Sequence, residues 1–270
     1  MKKIKIGIVG CGVIGSALAE NILKYFRDKA EVRYLCDLHA EKTRGLSRKL
    51  GKRVRTVSFE KLIKGSDFVV EAASPRVAQK VATEVLKLNK KALILSVGGL
   101  ISKRKGVSFL DKGRGKIWVP SGAVAGIDGL LAARESGIQS VKLRIQKPPA
   151  GLNEAPYFKK KPFPKLSRNA ETRVFHGNAL GAVKGFPKNA NVAALLSLAG
   201  IGPRKTSVEI WTSKKYARNS HRIEIVAKSG KLKYEIENVP SRLNPKTSAL
   251  AVYSALATLR KIFNSRVLGT

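Results

Sequence analysis

Acidic residues are scarce in this chain. Against 53 Lys and Arg stand only 18 Asp and Glu in 270 residues, a formal net charge of +35 at pH 7. Cysteine is scarcer still, with Cys11 and Cys36 alone. Two cysteines build no disulfide framework, so a reducing, cytoplasmic setting is expected and both are read as small buried residues. No apolar run approaches the roughly 18 residues that span a bilayer, so no membrane segment is expected. The N-terminal "MKKIKIGIVGCG" begins with lysines before apolar residues, as a secretory leader does. Its apolar stretch breaks at Gly7, Gly10 and Gly12, however, and no small-residue cleavage site ends it. Repeats and low-complexity segments are missing too. A hydrophobic content of 43% argues for a globular chain, long enough for one large domain or two small ones.

The charge excess has two readings. Lys and Arg neutralise phosphates and release counterions, which favours nucleic acid. Here the cations are scattered, and the densest runs, "KRKG" from 103 and "FKKKPFPK" from 158, are short and carry no base-reading motif. A solvated basic shell around an enzyme fits equally, with nonspecific polyanion binding as its by-product.

"KIKIGIVGCGVIGSALAENIL" sets a strand-like run, Ile4 to Val9, against Gly10, Gly12 and Gly15, and a helical pattern of Ile14, Leu18, Ile22 and Leu23 follows. In a dinucleotide site Gly10 makes the tight turn, Gly12 admits the pyrophosphate and Gly15 lets helix and strand approach. The helix N-terminus then offers free N–H groups to the phosphates. A structural turn without ligand is the plainer alternative. A second strand, Val32 to Cys36, ends at Asp37, 22 residues beyond Gly15. An acid at that distance is placed to accept the ribose 2′-hydroxyl of NAD; a helix-capping role competes. "DFVVEAAS" reads as a strand, followed by a helix capped by Ser74 with Pro75 at its first position. "ALILSVGGL" and "KIWVPSG" read as two further buried strands. The alternation predicts a doubly wound parallel sheet over 1–120.

Beyond 120 the pattern changes. A small-residue loop leads into a helix within "VPSGAVAGIDGLLAARESG"; "VKLRIQKPP" is a strand stopped by prolines, and 148–170 reads as an extended basic loop. Val192, Leu195, Leu196 and Ala199 share a helical face. Three strands follow, Thr206 to Trp211, His221 to Ala227 and Leu232 to Glu237, the last two a hairpin turning at Ser229-Gly230. These predict an antiparallel sheet in an α+β domain over 121–245. Residues 246–270 form a closing helix, capped by Thr247 or Ser248, that packs back on the nucleotide domain.

Five segments, "SGAVAGIDGL", "KPPAGLNEAPYF", "GFPKNANVAALLSLAGIGPRKT", "RNSHRIEI" and "ENVPSRLNPKTSALA", resemble the archaeal and bacterial L-aspartate dehydrogenases. The resemblance runs from the glycine turn to the final helix. It implies a Rossmann-type domain with a catalytic α+β domain, usually in a homodimer. It also implies oxidative deamination of L-aspartate to iminoaspartate (in reverse, reductive amination of oxaloacetate) with NAD or NADP, feeding NAD biosynthesis. By the same motifs, His221 resembles the family's active-site histidine, and Ala123 and Asn189 its cofactor-contacting positions. The chain departs from the pattern where His176, Arg204 and Arg222 replace acids, near Gly181 where a Glu belongs, and near Ser213-Lys214 where an Asp-Pro belongs. Either the surface has been recharged around an intact site or substrate preference has moved.

Amine oxidation sends hydride from Cα to a nicotinamide while the amine loses a proton, and a histidine within reach is the economical base. His221 suits, with a buried structural histidine as the plainer alternative; His39 follows the ribose acid, and His176 stands where the family lacks histidine. Lys147, Asn219, Lys246 and Thr247 are candidate anchors for a dicarboxylate. A dehydrogenase of another small amino or keto acid, or a non-enzymatic nucleic-acid-binding protein on a dehydrogenase scaffold, are the alternatives. No metal site is expected.

Overall fold

The computed structural model describes residues 2–101, 110, 114–167, 170–241 and 244–264, with the backbone alone for 241 and 244–247. The chain divides into two compact units, one comprising the residues up to Leu100, the stretch ending at Pro120 and the chain from Val252, the other built on Ser121–Ala251.

In the first unit strands and helices alternate: β1 (Ile4–Val9), α1 (Val13–Tyr25), β2 (Ala30–Cys36), α2 (Ala40–Leu50), β3 (Arg55–Thr56), α3 (Phe59–Gly65), β4 (Phe68–Glu71), α4 (Pro75–Lys87), β5 (Lys91–Ile94) and β6 (Lys116–Trp118). The strands order β3-β2-β1-β4-β5-β6 and every adjacent pair is parallel. This is the doubly wound order that binds dinucleotides at the carboxyl ends of its central strands. Strands β1 and β4 are apolar at nearly every position because helices cover both sheet faces. The Ser74 hydroxyl accepts from Val77 N at the start of α4, with Pro75 in the first turn. The short β3 and α3 escaped the sequence reading, and β2 begins at Ala30 rather than Val32.

The second unit runs through α5 (Ile127–Ser136), β7 (Ile138–Lys147), β8 (Thr172–Asn178), α6 (Ala179–Gly185), α7 (Asn191–Ala199), β9 (Ser207–Thr212), β10 (Asn219–Ala227), β11 (Gly230–Asn238), β12 (Pro240–Ser241) and β13 (Asn244–Ser248), and α8 (Ala249–Phe263) then leads back to the first unit. Its main sheet orders β11-β10-β7-β9-β8. The expected hairpin is present, with Ala227 paired to Gly230. The sheet is mixed rather than wholly antiparallel, since β7 and β9 run parallel. The segment 148–170 is also more structured than an extended loop. It holds two 3-10 turns, Pro149–Gly151 and Pro156–Lys159. Tyr157 stacks on Phe186 at 5.0 Å and meets Phe175 edge-on at 5.7 Å, so aromatic packing anchors the segment despite its lysines.

The last helix packs as expected. Ala255, Leu256 and Leu259 join the core around Ile6, Leu18, Leu35 and Phe68 of the first unit. Phe263 meets Phe26 and Phe68 edge-on, and Lys29 Nζ donates to the Phe263 carbonyl at 3.1 Å. Among the described residues no helix is long and apolar enough to cross a membrane.

Candidate active site

The glycine turn after β1 is held by its neighbours. Gly10 N donates to the Cys36 carbonyl at 2.8 Å, and Cys11 N donates to Asp37 Oδ2 at 2.7 Å. Gly10 has φ of 96°, a left-handed conformation that side chains disfavour. A Cβ on Gly15 would stand 1.8 Å from the Gly10 carbonyl oxygen, so α1 and the turn meet there without room for a side chain. A Cβ on Gly12 would meet nothing within 4 Å. The space beside Gly12 is therefore open, as a backbone that admits a pyrophosphate must be. Gly12 caps α1 without any side-chain hydrogen bond, and the first turn holds no acid, so the helix N-terminus is free to receive an anion. These residues fit a dinucleotide.

Asp37 already has two backbone partners. Its Oδ2 ties the glycine turn through Cys11 N, and its Oδ1 accepts from His39 N at 2.9 Å. Each oxygen keeps lone-pair capacity for a further donor. Cys11 is buried; Cys36 is only half-buried, against expectation. Burial, with the Asp37 charge second, pushes the Cys11 thiol up to about 12, which makes it inert.

The sequence reading overlooked Glu71, at the carboxyl end of β4. It is fully buried, and its carboxylate accepts from Ala73 N at 2.8 Å, Ser74 N at 3.1 Å, Ser96 N at 3.0 Å and Ser96 Oγ at 2.9 Å. Burial nevertheless raises its pKa above the usual carboxylate range. Glu71 thus fixes the loops after β4 and β5 at the edge where such sheets take their ligands. An acid ending an apolar run was the only signal for it.

In the second unit the chemistry gathers on one face of the sheet. Along β7 the side chains of Val141, Leu143, Ile145 and Lys147 alternate inward, and along β10 those of His221, Ile223 and Ile225 do the same. His221 pairs with Ile145 across the strands, so Lys147, two residues beyond Ile145, lies on its diagonal. Two polar groups thus occupy the end of an otherwise apolar face. His221 is 3% exposed and Lys147 is 7% exposed. Among the described lysines and arginines Lys147 alone is buried, in a chain with 53 such residues.

The partners of these two groups are amides. Lys147 Nζ donates to Asn189 Oδ1 at 2.6 Å, and Asn189 Nδ2 donates to the Gly151 carbonyl at 3.2 Å. Burial alone lowers the Lys147 ammonium to about 8. Asn238, also overlooked, lies 3.3 Å from His221 Nδ1 through its Nδ2. The same Nδ2 donates to the Ala123 carbonyl at 3.0 Å, while Asn238 Oδ1 accepts from the Ser248 hydroxyl at 2.5 Å. A carbonyl only accepts, so Ala123 fixes which end of the Asn238 amide carries hydrogens. His221 Nδ1 must then be the acceptor, and the neutral ring carries its proton on Nε2. Burial, with the Lys147 charge second, lowers the imidazole pKa to about 3.

Lys147, Asn189 and Asn219 share the wall of a cavity of about 610 Å³ with Lys159, Lys188 and Arg218. Glu154 is the one acid in that wall. The structure thus brings Lys147, Asn189 and Asn219 to one cavity, and joins Ala123 to His221 through Asn238. Gly10, Gly12, Gly15 and Asp37 gather separately in the first unit. The side chains of Lys246 and Thr247 lie outside what is described; their backbone forms part of β13. The departures at His176, Gly181, Arg204, Lys214 and Arg222 line no part of this cavity. Arg222 instead pairs with Glu235 at 2.7 Å across the hairpin. Among the described residues no group of acids, histidines and cysteines could hold a metal ion.

Residues 128–262 match the family described as "Aspartate dehydrogenase, C-terminal", and residues 5–98 the family "NADP oxidoreductase coenzyme F420-dependent". The chain is 42% identical over 271 residues to the L-aspartate dehydrogenase of Methanosarcina mazei, covering 99% of this chain and all of that one. It is 34% identical to L-aspartate dehydrogenase 3 of Bordetella bronchiseptica, covering 97% and 96%. The crystal structure of aspartate dehydrogenase from Thermotoga maritima is similar, with a TM-score of 0.76 at 25% identity, covering 99% of this chain and all of that one. A scyllo-inositol dehydrogenase from Lactobacillus casei, with bound NAD(H), shares the fold with a TM-score of 0.53 at 15% identity, covering 99% and 91%. With its glycine turn open at Gly12 and its buried histidine and lysine side by side, the chain belongs to the L-aspartate dehydrogenase family.

Proposed function

We propose that the protein oxidises L-aspartate to iminoaspartate in the cavity walled by Lys147, Asn189 and Asn219, with His221 as a catalytic residue. As a member of its family it is an NAD(P)-dependent oxidoreductase. When bound, NAD(P)⁺ would supply the acceptor for the hydride that leaves Cα. The protein's own residues hold the pyrophosphate at Gly12 and the N-terminus of α1, offer Asp37 to the ribose, and present cations to the two substrate carboxylates. Ala123 and Asn189, read by resemblance as cofactor contacts, also orient Asn238 and Lys147.

The observation that carries this reading is the buried pair His221 and Lys147, each held by an amide rather than by a counter-charge. Four cations against one acid in the cavity wall favour a dianionic substrate over a neutral one. L-Aspartate should therefore turn over far faster than L-alanine, since cationic donors left unpaired cost several kcal/mol of transition-state binding, of which each 1.4 kcal/mol is about tenfold in rate. Steady-state kcat/KM on both amino acids tests it, and equal values would remove the aspartate assignment. We place the enzyme in the cytoplasm, as a homodimer by family resemblance, with its product feeding NAD biosynthesis. Its charge of +35 supports sequence-indifferent, salt-sensitive polyanion binding as a side property.

A further inference from the structure

We infer that Lys147, and not His221, takes the proton that the substrate amine releases, and that His221 acts as a neutral Nε2–H donor held in that tautomer by Asn238. The inference rests on the reading of the cavity as the substrate site.

A base must offer an unshared pair to the substrate. His221 spends its Nδ1 pair on the Asn238 amide, and its other nitrogen carries the proton. The neutral ring therefore keeps a proton on Nε2 to donate but cannot accept another there without first losing it. The surroundings also hold the ring neutral, since it is buried and Lys147 stands on its diagonal.

Lys147 has the opposite endowment. It lines the cavity, it is buried, and its partner Asn189 Oδ1 accepts a hydrogen bond equally from an ammonium or an amine. A carboxylate there would hold the lysine charged; an amide oxygen permits it to be neutral. Among the described residues no carboxylate pairs with it. The charged groups facing the same cavity are Glu154, Lys159, Lys188 and Arg218. Burial leaves its pKa at about 8, where both forms coexist near neutral pH.

The step balances. Neutral Lys147 Nζ takes one proton from the substrate ammonium and becomes the ammonium itself. The substrate nitrogen pair then forms the C=N bond as the Cα–H bond breaks, its hydrogen leaving with both electrons to NAD(P)⁺. Iminoaspartate in its protonated, iminium form, reduced cofactor and protonated Lys147 result, and Lys147 returns its proton to water.

The test compares kcat–pH profiles of L-aspartate oxidation for the whole enzyme and two variants. Lys147→Arg keeps the charge but cannot lose a proton. It should bind NADH as the wild type does, lose about 100-fold or more in kcat, and lack the limb that rises near pH 8. His221→Gln should lower kcat yet keep that limb. Should Lys147→Arg disturb the fold, Lys147→Ala should regain turnover on addition of a primary alkylamine. Nitrogen-15 shifts of the wild-type ring should show the proton on Nε2 of His221. A limb that survives in Lys147→Arg and vanishes in His221→Gln, or a ring protonated on Nδ1, would overturn the inference. A wild type that oxidises no L-aspartate would instead remove the function on which it rests.

Discussion

Asn238 Nδ2 stands 3.3 Å from His221 Nδ1 and 3.0 Å from the Ala123 carbonyl, so a single amide sets the tautomer of the buried His221. The two residues sit diagonally on neighbouring strands, with His221 opposite Ile236 and Asn238 two residues further along the same face. Asn238→Asp should reverse the arrangement, because a carboxylate accepts from Nδ1–H. The proton then moves to Nδ1, imidazolium is stabilised, and kcat falls. Nitrogen-15 shifts and a raised His221 pKa check this; an unchanged tautomer would show that Asn238 does not control it. Asn238→Ala should cost about 1–3 kcal/mol by thermal denaturation, since it leaves buried partners unpaired.

The buried imidazole also makes stability depend on pH. Its pKa is about 3 when folded, against an ordinary value of 6.5. Between those values the unfolded chain binds a proton that the folded chain refuses. The stabilising contribution is thus complete above pH 6.5 and is lost as pH falls towards 3. Urea titrations from pH 7 to pH 4 should show the wild type losing on the order of a few kcal/mol more than His221→Gln. Parallel losses in both proteins would contradict the burial argument.

The three glycines of the turn should separate by experiment. Gly12 has extended backbone angles and open space, so Gly12→Ala should cost under about 1 kcal/mol of stability as a change of helix cap. It should weaken NADH binding tenfold or more, about 1.4 kcal/mol, because the methyl would enter the open space that we propose for the phosphates. Gly15→Ala meets the Gly10 oxygen and should destabilise by about 1–3 kcal/mol or more. Fluorescence titration and thermal melts of both variants decide it; full NADH affinity in Gly12→Ala would place the phosphates elsewhere.

Asp37 should favour NAD modestly over NADP. Its carboxylate repels a 2′-phosphate, whereas Arg33, Lys42 and Arg44 nearby in the chain attract one. Asp37→Ser should reverse the order. Both cofactors should also bind more weakly, because Cys11 N and His39 N lose their charged acceptor. Steady-state constants for both cofactors test this. A wild type strongly selective for NADP would mean that Asp37 does not face the ribose.

The sequence was most legible where neighbours in the chain are neighbours in space. The run Ile4 to Val9, the three glycines and the Ser74-Pro75 cap each act within a few residues, and all appear where they were expected. The parallel pairing of β7 with β9 was hidden, because the strands lie far apart in the chain and two helices intervene. Strand β8 was hidden by an irregular register between Arg173 and Phe175, which breaks the alternation. Within the site, His221 stood out by rarity and motif. Asn238 could have been found by counting the register back from the Ser229-Gly230 turn, whereas the burial of Lys147 among so many lysines has no local signature.

The most direct test of the whole account is the turnover of His221→Ala set beside its affinity for NADH. The ring lies in the second unit, on β10, and the glycine turn in the first. Removing it should lower kcat for L-aspartate by on the order of 100-fold or more, while the NADH dissociation constant stays within about twofold of the wild type. Full turnover in the variant would make His221 a structural residue and contradict the account.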